Sequence, residues 1–402
     1  MFINNFQTQY IFIFNKYFCI SIIPTMHFDL ITDNPTVNIF LYIFYGAVFI
    51  QLFYYWAVFS RLSFHKPKIQ SRTHQAVSVV ICAKNEYHNL KENLPLILEQ
   101  DFSDFEVIVV NDVSDDETYY LLKILSEKYA HLKIVNFKDN VNFFSGKKFP
   151  LTIGIKSAKN DIILLTDADC RPHSMKWLEE MQSQFYSGTE IVLGYGKYKQ
   201  EPGLLNKIIR FDTLQIGIQY LSFALMGLPY MGVGRNLVYR KNLFYRQNGF
   251  INHYKIKSGD DDLFVNAAAS KLNTKIMISY ESHTVSDAKK TLASWFTQKR
   301  RHLTSGKYYK PSTKFSLGLY TVSQFLFFVS MLSLFSLNYT LLIIPALFVL
   351  RLISQLIIYK SCMKKLNEKN FLLLVPFFEL FFVVFNPMIV LINMISKPDK
   401  WK

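Results

Sequence analysis

Cysteine is scarce. Four residues in 402 (Cys19, Cys82, Cys170 and Cys362) lie far apart, with no CxxC pair. This excludes a disulfide scaffold and fits buried thiols in a reducing compartment. Charge is also sparse, at 19% of residues, and acidic residues are the rarer sign: 30 Asp and Glu against 45 Lys and Arg, a net +15. Such an excess of cations points to nucleic acid, anionic lipid or a phosphorylated substrate. There is no Walker A sequence. Gly232-Val233-Gly234-Arg235-Asn236 lacks the strand–GxGxxG–helix context of a dinucleotide site, so a turn is its default reading. No internal repeat or low-complexity stretch is present. The apolar N-terminus is broken by Lys16 and Pro24 and lacks a small-residue cleavage site, so no removable signal peptide is expected. Residues 1–37 form an N-terminal segment in which Met26 is a second candidate start.

Apolar residues are plentiful. They make up 50% of the chain, with 37 Phe and 24 Tyr, and the mean hydropathy is +0.13. Disorder is thereby excluded for most of the chain, and its length suggests two or three domains. The apolar residues gather at the two ends. Asn38–Phe59 is uncharged and long enough to span a bilayer, so a transmembrane helix is expected over 38–60. The basic run Arg61–Arg72 follows, which places that flank in the cytoplasm and the N-terminus outside. Near the C-terminus Phe315–Leu337, Tyr339–Ile358 and Phe371–Met394 are further candidates, with a tight turn at Asn338 and a basic, cytoplasmic loop at Lys360–Lys369. Strict alternation would put the tail Lys397–Lys402 outside, against the positive-inside rule. Two or three crossings within 315–395 therefore both stay open, since Pro376 and Pro387 interrupt the last segment. Arg351 and Glu379 sit inside these segments, where ionisable groups are costly. A mutual ion pair is the preferred reading, and a place on an acceptor path is the sharper one.

Between the ends lies a soluble block, Ala76–Gly306, over residues 76–306. Val77–Ala83, Glu106–Val110 and Asp161–Leu165 read as buried strands, with helical segments Glu86–Gln100, Asp116–Ala130 and Phe149–Ala158 between them. This alternation predicts an α/β fold with a parallel sheet and right-handed crossovers. Gly203–Gly227 is apolar but carries Lys207, Arg210 and Asp212, and predicts interfacial helices over about 204–228.

Acidic residues cluster where these strands end, the place where open α/β sheets bind ligands. Asn111-Asp112 and Ser114-Asp115-Asp116 follow the second strand. Helix capping explains Ser114, Asp115 and Asp116 well. Asp167 and Asp169 follow the third strand at i and i+2, a hard-oxygen pair suited to Mg²⁺ or Mn²⁺ on phosphate oxygens. Ser258-Gly259-Asp260-Asp261-Asp262 opens a helix expected over Leu263–Ala269. Three adjacent carboxylates form either a solvated cap or a site with a general base. Trp295–His302 is basic, which suits either lipid headgroups or a diphosphate held by Lys and Arg.

In this order the motifs resemble those of the membrane-bound family-2 glycosyltransferases of the GT-A fold. Val77–Glu86 is similar to the family's opening VSVIIPAYNE, and Val109–Thr118 to VVDDGSTDGT, with Asn111 in place of the first Asp and Val113 in place of Gly. Gly146-Lys147 with Leu151 and Gly154 resembles GKxxALNxG, and Thr166-Asp167-Ala168-Asp169 the metal motif. Gly259-Asp260-Asp261 stands where relatives carry TED, ED or GDD, and Gln298-x-x-Arg301-His302 resembles QxxRW with His for Trp.

The resemblance implies a GT-A (Rossmann-like, mostly parallel) catalytic domain flanked by transmembrane helices. It further implies an inverting transfer from a nucleotide-diphosphate sugar to a lipid-linked or glycan acceptor at the membrane. Asp261, beside Asp260, would be the base. Ala83, Asn85, Glu86, Asp112, Lys147, Asp167, Gln298 and Arg301 would hold the nucleotide-sugar, and Asp167 and Asp169 the metal. Arg235, Asn236 and His302 would face the acceptor, and Arg300 could join Arg301 at the diphosphate. The expected location is the cytoplasmic membrane, multi-pass, with the catalytic domain in the cytosol. A processive polysaccharide synthase of the cellulose or hyaluronan type is the alternative, disfavoured by His302. A scaffold or transporter subunit is the non-enzyme alternative. A nucleic-acid partner is not expected, because the basic residues sit largely beside membrane segments.

Overall fold

The computed structural model describes residues 32–66, 74–137, 146–186, 188–256, 258–339 and 342–396. Met26, most of the N-terminal segment, part of the basic run after Arg61, and the tail 397–402 lie outside the described residues. The chain opens with α1 (Pro35–Phe53), which continues through a π-helical turn, Tyr54–Phe59, into α2 (Ser60–Ser63). Then follow β1 (Val77–Ala83), α3 (Tyr87–Leu98), β2 (Phe105–Asp112), α4 (Thr118–Lys128), β3 (Leu132–Phe137), α5 (Lys148–Ser157), β4 (Ile162–Asp167), β5 (Cys170–Pro172) and α6 (Trp177–Gln182). The second half of the block holds β6 (Ile191–Leu193), β7 (Gly196–Tyr198), α7 (Leu204–Met226), β8 (Leu237–Arg240), α8 (Lys241–Arg246), α9 (Asp262–Ala268), β9 (Thr274–Ile276), β10 (Thr284–Ser286) and α10 (Leu292–His302). Three long helices close the chain: α11 (Pro311–Ser336), α12 (Ile343–Lys365) and α13 (Val375–Ile395).

Seven strands form one sheet in the order β3-β2-β1-β4-β8-β6-β9, and β5-β10-β7 form a second. The first sheet is parallel except at β8, which is antiparallel to β4 and β6. The α/β reading holds, and the order reverses at β1, between β2 and β4. Such a switch point opens a crevice at the carboxyl ends of the strands. β1 is apolar but for Ser78, because both of its faces are covered. Val79 and Ile81 pack with Leu90 and Leu94 of α3, and Val80 packs with Leu151 and Ile155 of α5. Gly154 lets α5 lie close to the sheet, since a Cβ there would come within 2.6 Å of Val80 Cγ1.

The apolar 204–228 region is one helix, α7, largely buried and ended by Gly227 in the left-handed region (φ 91). Arg210 and Asp212 within it are paired rather than solvated. Arg210 Nε donates to Glu368 Oε2 at 3.0 Å in the α12–α13 loop, and Asp212 accepts from Lys299 Nζ of α10 at 2.5 Å.

Among the described residues four helical stretches, Pro35–Ser63, Pro311–Ser336, Ile343–Lys365 and Leu372–Ile395, are long and apolar enough to cross a membrane. Asn338 turns the chain between α11 and α12 with φ 55. Pro376 and Pro387 do not break α13. Pro376 lies in its first turn, where no N–H is needed, and Pro387 is accommodated inside. Arg351 and Glu379 do pair, buried at 2% and 1% exposure. Glu379 also accepts from Gln324 Nε2 (2.6 Å) and Gln355 Nε2 (2.9 Å), and Arg351 Nε donates to Gln51 Oε1 (2.7 Å). One ion pair thus ties α1, α11, α12 and α13 together.

Removing one partner of a buried pair strands the other, at about 3–5 kcal/mol. Glu379→Ala should therefore sharply lower the melting temperature of the detergent-solubilised protein. The Arg351→Met/Glu379→Met double variant should recover most of the loss in the same thermal scan.

Candidate functional site

The strand ends bring the acidic motifs together. Cys82 lies opposite Asp167, and Ala83, itself buried, lies opposite Asn111. The loops after β1 and β2 are then laced to each other. Asn85 N–H donates to Ser114 Oγ (2.9 Å), and Asp115 N–H donates back to Asn85 Oδ1 (2.8 Å). Glu86 N–H donates to Thr118 Oγ1 (3.0 Å). Asp116 accepts from Tyr87 N–H (3.1 Å) and Thr118 N–H (3.0 Å), so it caps two helices at once. The side chains of Ser114, Asn85 and Asp116 therefore shape the loop. Asp112 is buried beside them. Burial pushes its carboxyl up, and the Lys84 charge opposes this. Glu86 is buried too and accepts from Asn89.

At the end of β4, Lys147 pairs with Asp167. Burial would raise the Asp167 carboxyl. The Lys147 charge and hydrogen bond, with Arg235 and Arg301 farther off, more than offset this and hold it below the usual carboxylate range. Ligand atoms of Asp167, Asp169 and Cys170 lie within 4.8 Å of one another. Burial raises the Cys170 thiol well above its ordinary value. The group therefore offers two hard carboxylates and a neutral thiol, which suits Mg²⁺ or Mn²⁺ rather than a thiophilic metal.

The third acidic cluster enters from a loop. Gly259 adopts φ 94, and a Cβ there would meet Leu263 Cδ1 at 2.5 Å, so only glycine fits this bend. Asp261 caps α9 through Asp262 N–H (2.7 Å), and its other oxygen accepts from Gly234 N–H (2.7 Å). Burial first, then the neighbouring Asp260 and Asp262, push its carboxyl up to about 8. Asp262 accepts from Tyr309 OH (2.7 Å), Leu263 N–H (2.7 Å) and Ser305 Oγ. It thus ties the loop to the segment before α11. The cap is buried on this side, not solvated. Asp260 is half-buried, and its charge acts on both Lys147 and Lys148.

Lys148 is the residue sequence reasoning missed. Its buried ammonium donates to the carbonyls of His253 (2.6 Å), Ile256 (2.7 Å) and Ser258 (2.8 Å), the loop that delivers Asp260 and Asp261. Burial lowers it to about 8, against the pull of Asp260, Asp262 and Asp261. No sequence signal marks it beyond its place next to Lys147.

The basic helix α10 divides its residues. Gln298 Nε2 donates to Tyr198 OH (3.3 Å), and the Arg235 guanidinium lies over the Tyr198 ring at 4.7 Å, with its buried Nε unpartnered. Arg301 is half-buried, and its charge reaches Asp167. His302 is exposed at the helix end. Two expectations are corrected. Arg300 does not join Arg301 as expected but turns to α13, where its Nε donates to Asn393 Oδ1 at 2.9 Å. Asn236 cannot face an acceptor, because it is fully buried. Its amide donates to Tyr195 O (3.0 Å) and Ser282 O (2.8 Å) and accepts from Trp177 Nε1 (3.0 Å).

Residues 78–247 match the profile of the family described as glycosyl transferase family 2. The chain is 30% identical over 193 residues to glycosyltransferase AglE of Haloferax volcanii, covering 46% of this chain and 58% of that one. It is 27% identical over 171 residues to an uncharacterized glycosyltransferase of Haemophilus influenzae, covering 42% of this chain and 48% of that one. The chain therefore spans about half the length of these curated relatives. Among solved structures, the mannosyltransferase PcManGT of Pyrobaculum calidifontis, determined with GDP-Man and Mn²⁺, superposes with a TM-score of 0.55 at 18% identity, covering 86% of this chain and 99% of that one. That likeness speaks for the fold. By the matched region, the fold and the order of its strand-end motifs, this chain carries a family-2 glycosyltransferase domain of the GT-A fold, joined to helices of membrane-spanning length.

Proposed function

We propose that the protein moves a sugar from a nucleotide-diphosphate sugar to a lipid-linked or membrane-delivered glycan acceptor, with inversion at the anomeric carbon. The observation that carries this reading is the pairing of two unlike acidic centres across one crevice. Asp167 is held ionised by Lys147, and Asp261 is poised near neutrality by burial and like charge. Centres whose environments push carboxylates in opposite directions mark separate roles.

In this reading Asp112 and the Ala83–Glu86 loop receive the nucleoside. Asp167 and Asp169 would hold Mg²⁺ or Mn²⁺, which supplies charge neutralisation at the diphosphate when bound. Asp261 accepts the proton of the acceptor hydroxyl as its oxygen bonds to the anomeric carbon. The bond from that carbon to the diphosphate oxygen breaks on the opposite face. The electron pair leaves with the nucleoside diphosphate, and Lys147 and Arg301 stabilise the charge. A base raised by desolvation is stronger once deprotonated and matches a pH near 8. Arg235 and His302 line the acceptor side. His302, where processive synthases carry Trp, favours single addition. The placement is the cytoplasmic membrane with the catalytic block in the cytosol, where the basic flanks of the helices lie.

Asp261→Asn should lower kcat by about 10²–10⁴-fold without loss of fold. Because the deprotonated form acts, kcat/KM should rise with pH to a plateau, with its midpoint near the Asp261 value of about 8. Asp260→Asn removes a like charge and should move that limb to lower pH. Near-wild-type turnover by folded Asp261→Asn would refute the assignment.

Asp169→Ala should abolish the Mn²⁺-dependent part of nucleoside-diphosphate binding in calorimetry. Binding that is identical with and without Mn²⁺ in the parent protein would exclude the metal role.

Lys148→Met should cut kcat by on the order of 10²-fold, the cost of a base displaced by about 1 Å. Affinity for the nucleoside diphosphate should stay nearly unchanged, and Lys148→Arg should restore part of the rate. A matching loss of nucleotide affinity would instead make Lys148 part of the donor site.

A further inference from the structure

Three of the four membrane-length helices stand in register. Tyr54 OH donates to Ser316 O (2.5 Å), Gln51 Nε2 to Ser323 O (3.1 Å), Arg351 Nε to Gln51 Oε1 (2.7 Å) and Ser361 Oγ to Ser63 O (2.7 Å). The first helix and α12 thus run the same way and α11 runs against them. Arg61, Lys364 and Lys365 come to lie at the end where α11 begins.

The fourth helix does not follow this pattern. Just before α13, Glu368 and the Lys369 carbonyl hold Arg210 of α7, and Phe371 lies against Phe211 at 6.3 Å. Along its length, Phe378 and Phe382 pack on Phe211 at 5.3 and 5.8 Å, and Phe385 stacks on Trp295 of α10 at 5.2 Å. At its end, Asn393 and Arg300 of α10 exchange two hydrogen bonds of 2.9 Å, and Ser396 O accepts from Arg300. Both anchors belong to the catalytic block, and α7 is itself bonded to α10 through Asp212 and Lys299 at 2.5 Å. A helix of 21 residues is about 31 Å long, enough to carry its ends to opposite faces of a bilayer. Here start, middle and end all rest on the same block.

The opposite side of α13 is an exposed stripe. Phe377, Phe381, Val384, Met388, Leu391 and Ile395 are 36–89% exposed and recur every three or four residues. No polar residue interrupts them.

We infer that α13 does not cross the membrane. It lies along the bilayer on the side of the catalytic block, with this stripe set into the boundary between headgroups and acyl chains. Lipid is the occupant because the stripe is wholly apolar, the kind of face an interfacial helix sets between headgroups and acyl chains, while the other face packs on α7 and α10. The Glu379 side reaches into the crossing bundle through its pair with Arg351. Three crossings among the described helices remove the conflict in strict alternation. On that topology the positive-inside rule expects Lys397, Lys400 and Lys402 on the side of the other basic flanks.

The test is cysteine labelling of the full-length protein in intact cells and inverted vesicles with a membrane-impermeant polyethylene glycol maleimide, read as a mass shift added to that of the parent chain. Lys402→Cys reports the tail, Lys123→Cys on α4 the catalytic block, and Asn338→Cys the α11–α12 turn. The expected result is that Lys402→Cys and Lys123→Cys label in the same preparation and Asn338→Cys in the other. Labelling of Lys402→Cys together with Asn338→Cys overturns the inference, as does labelling of all three from one side. The readout is topology alone, so it stands or falls apart from any assay of sugar transfer.

Discussion

Two adjacent lysines hold the two halves of the crevice in one frame. Lys147 pairs with Asp167 at the end of β4, and Lys148 gathers three carbonyls of the loop that presents Asp260 and Asp261. Everything chemical in the site depends on that juncture, because the acidic loop has little regular structure of its own before α9. Burying an ammonium is unfavourable, but hydrogen bonds to a charged donor contribute about 1.5–3 kcal/mol each. Three of them, with carboxylates nearby, offset the desolvation. The cluster Asp260-Asp261-Asp262 would otherwise repel itself open. Asp262 is drawn off toward Tyr309 and Ser305, which leaves Asp261 on Gly234.

The same economy of charge joins the catalytic block to the apolar helices. Lys299 and Arg300 are neighbours on α10 that point to different partners, Asp212 on α7 and Asn393 on α13. Arg210, two residues before Asp212, reaches Glu368, whose carboxyl burial raises to about 7 against the Arg210 charge. Part of the +15 is thus used inside the protein as ties between layers. In the proposed reading, the cations left to face a diphosphate are few: Lys147 and Arg301.

What could be read from the sequence follows from how each element is specified. β1, β2 and β4 are mostly apolar runs because both their faces are covered, and their carboxyl ends carry the motifs, so strands and site appeared together. β6, β7, β9 and β10 have three residues each. Their pairing is dictated by partners distant in sequence, not by local pattern, so the second sheet and the antiparallel β8 were illegible. Lys148 escaped notice because a lysine is by default a solvated residue. Only the fold supplies the three carbonyls that make it otherwise. Asn236 and Arg300 misled for the converse reason. Each sits within a motif, yet neighbours far along the chain claim its polar atoms.

Val113 shows how strongly the surroundings impose the shape of the loop after β2. It occupies the position where the resembled pattern has glycine, yet its φ is 49. A β-branched residue in the left-handed region is strained, at about 1–3 kcal/mol. Such strain persists only where other interactions over-determine the backbone. Here Ser114 Oγ donates to Asn111 Oδ1 at 2.5 Å, Asn111 donates to Asn136 at 2.6 Å, and Asn85 and Asp115 bond across the loop. These ties flank Val113 on both sides and leave it no other conformation. The left-handed turn is therefore a requirement of the site rather than a preference of its residue. It is kept at some loss of stability because the bonds that impose it join the loops after β1 and β2.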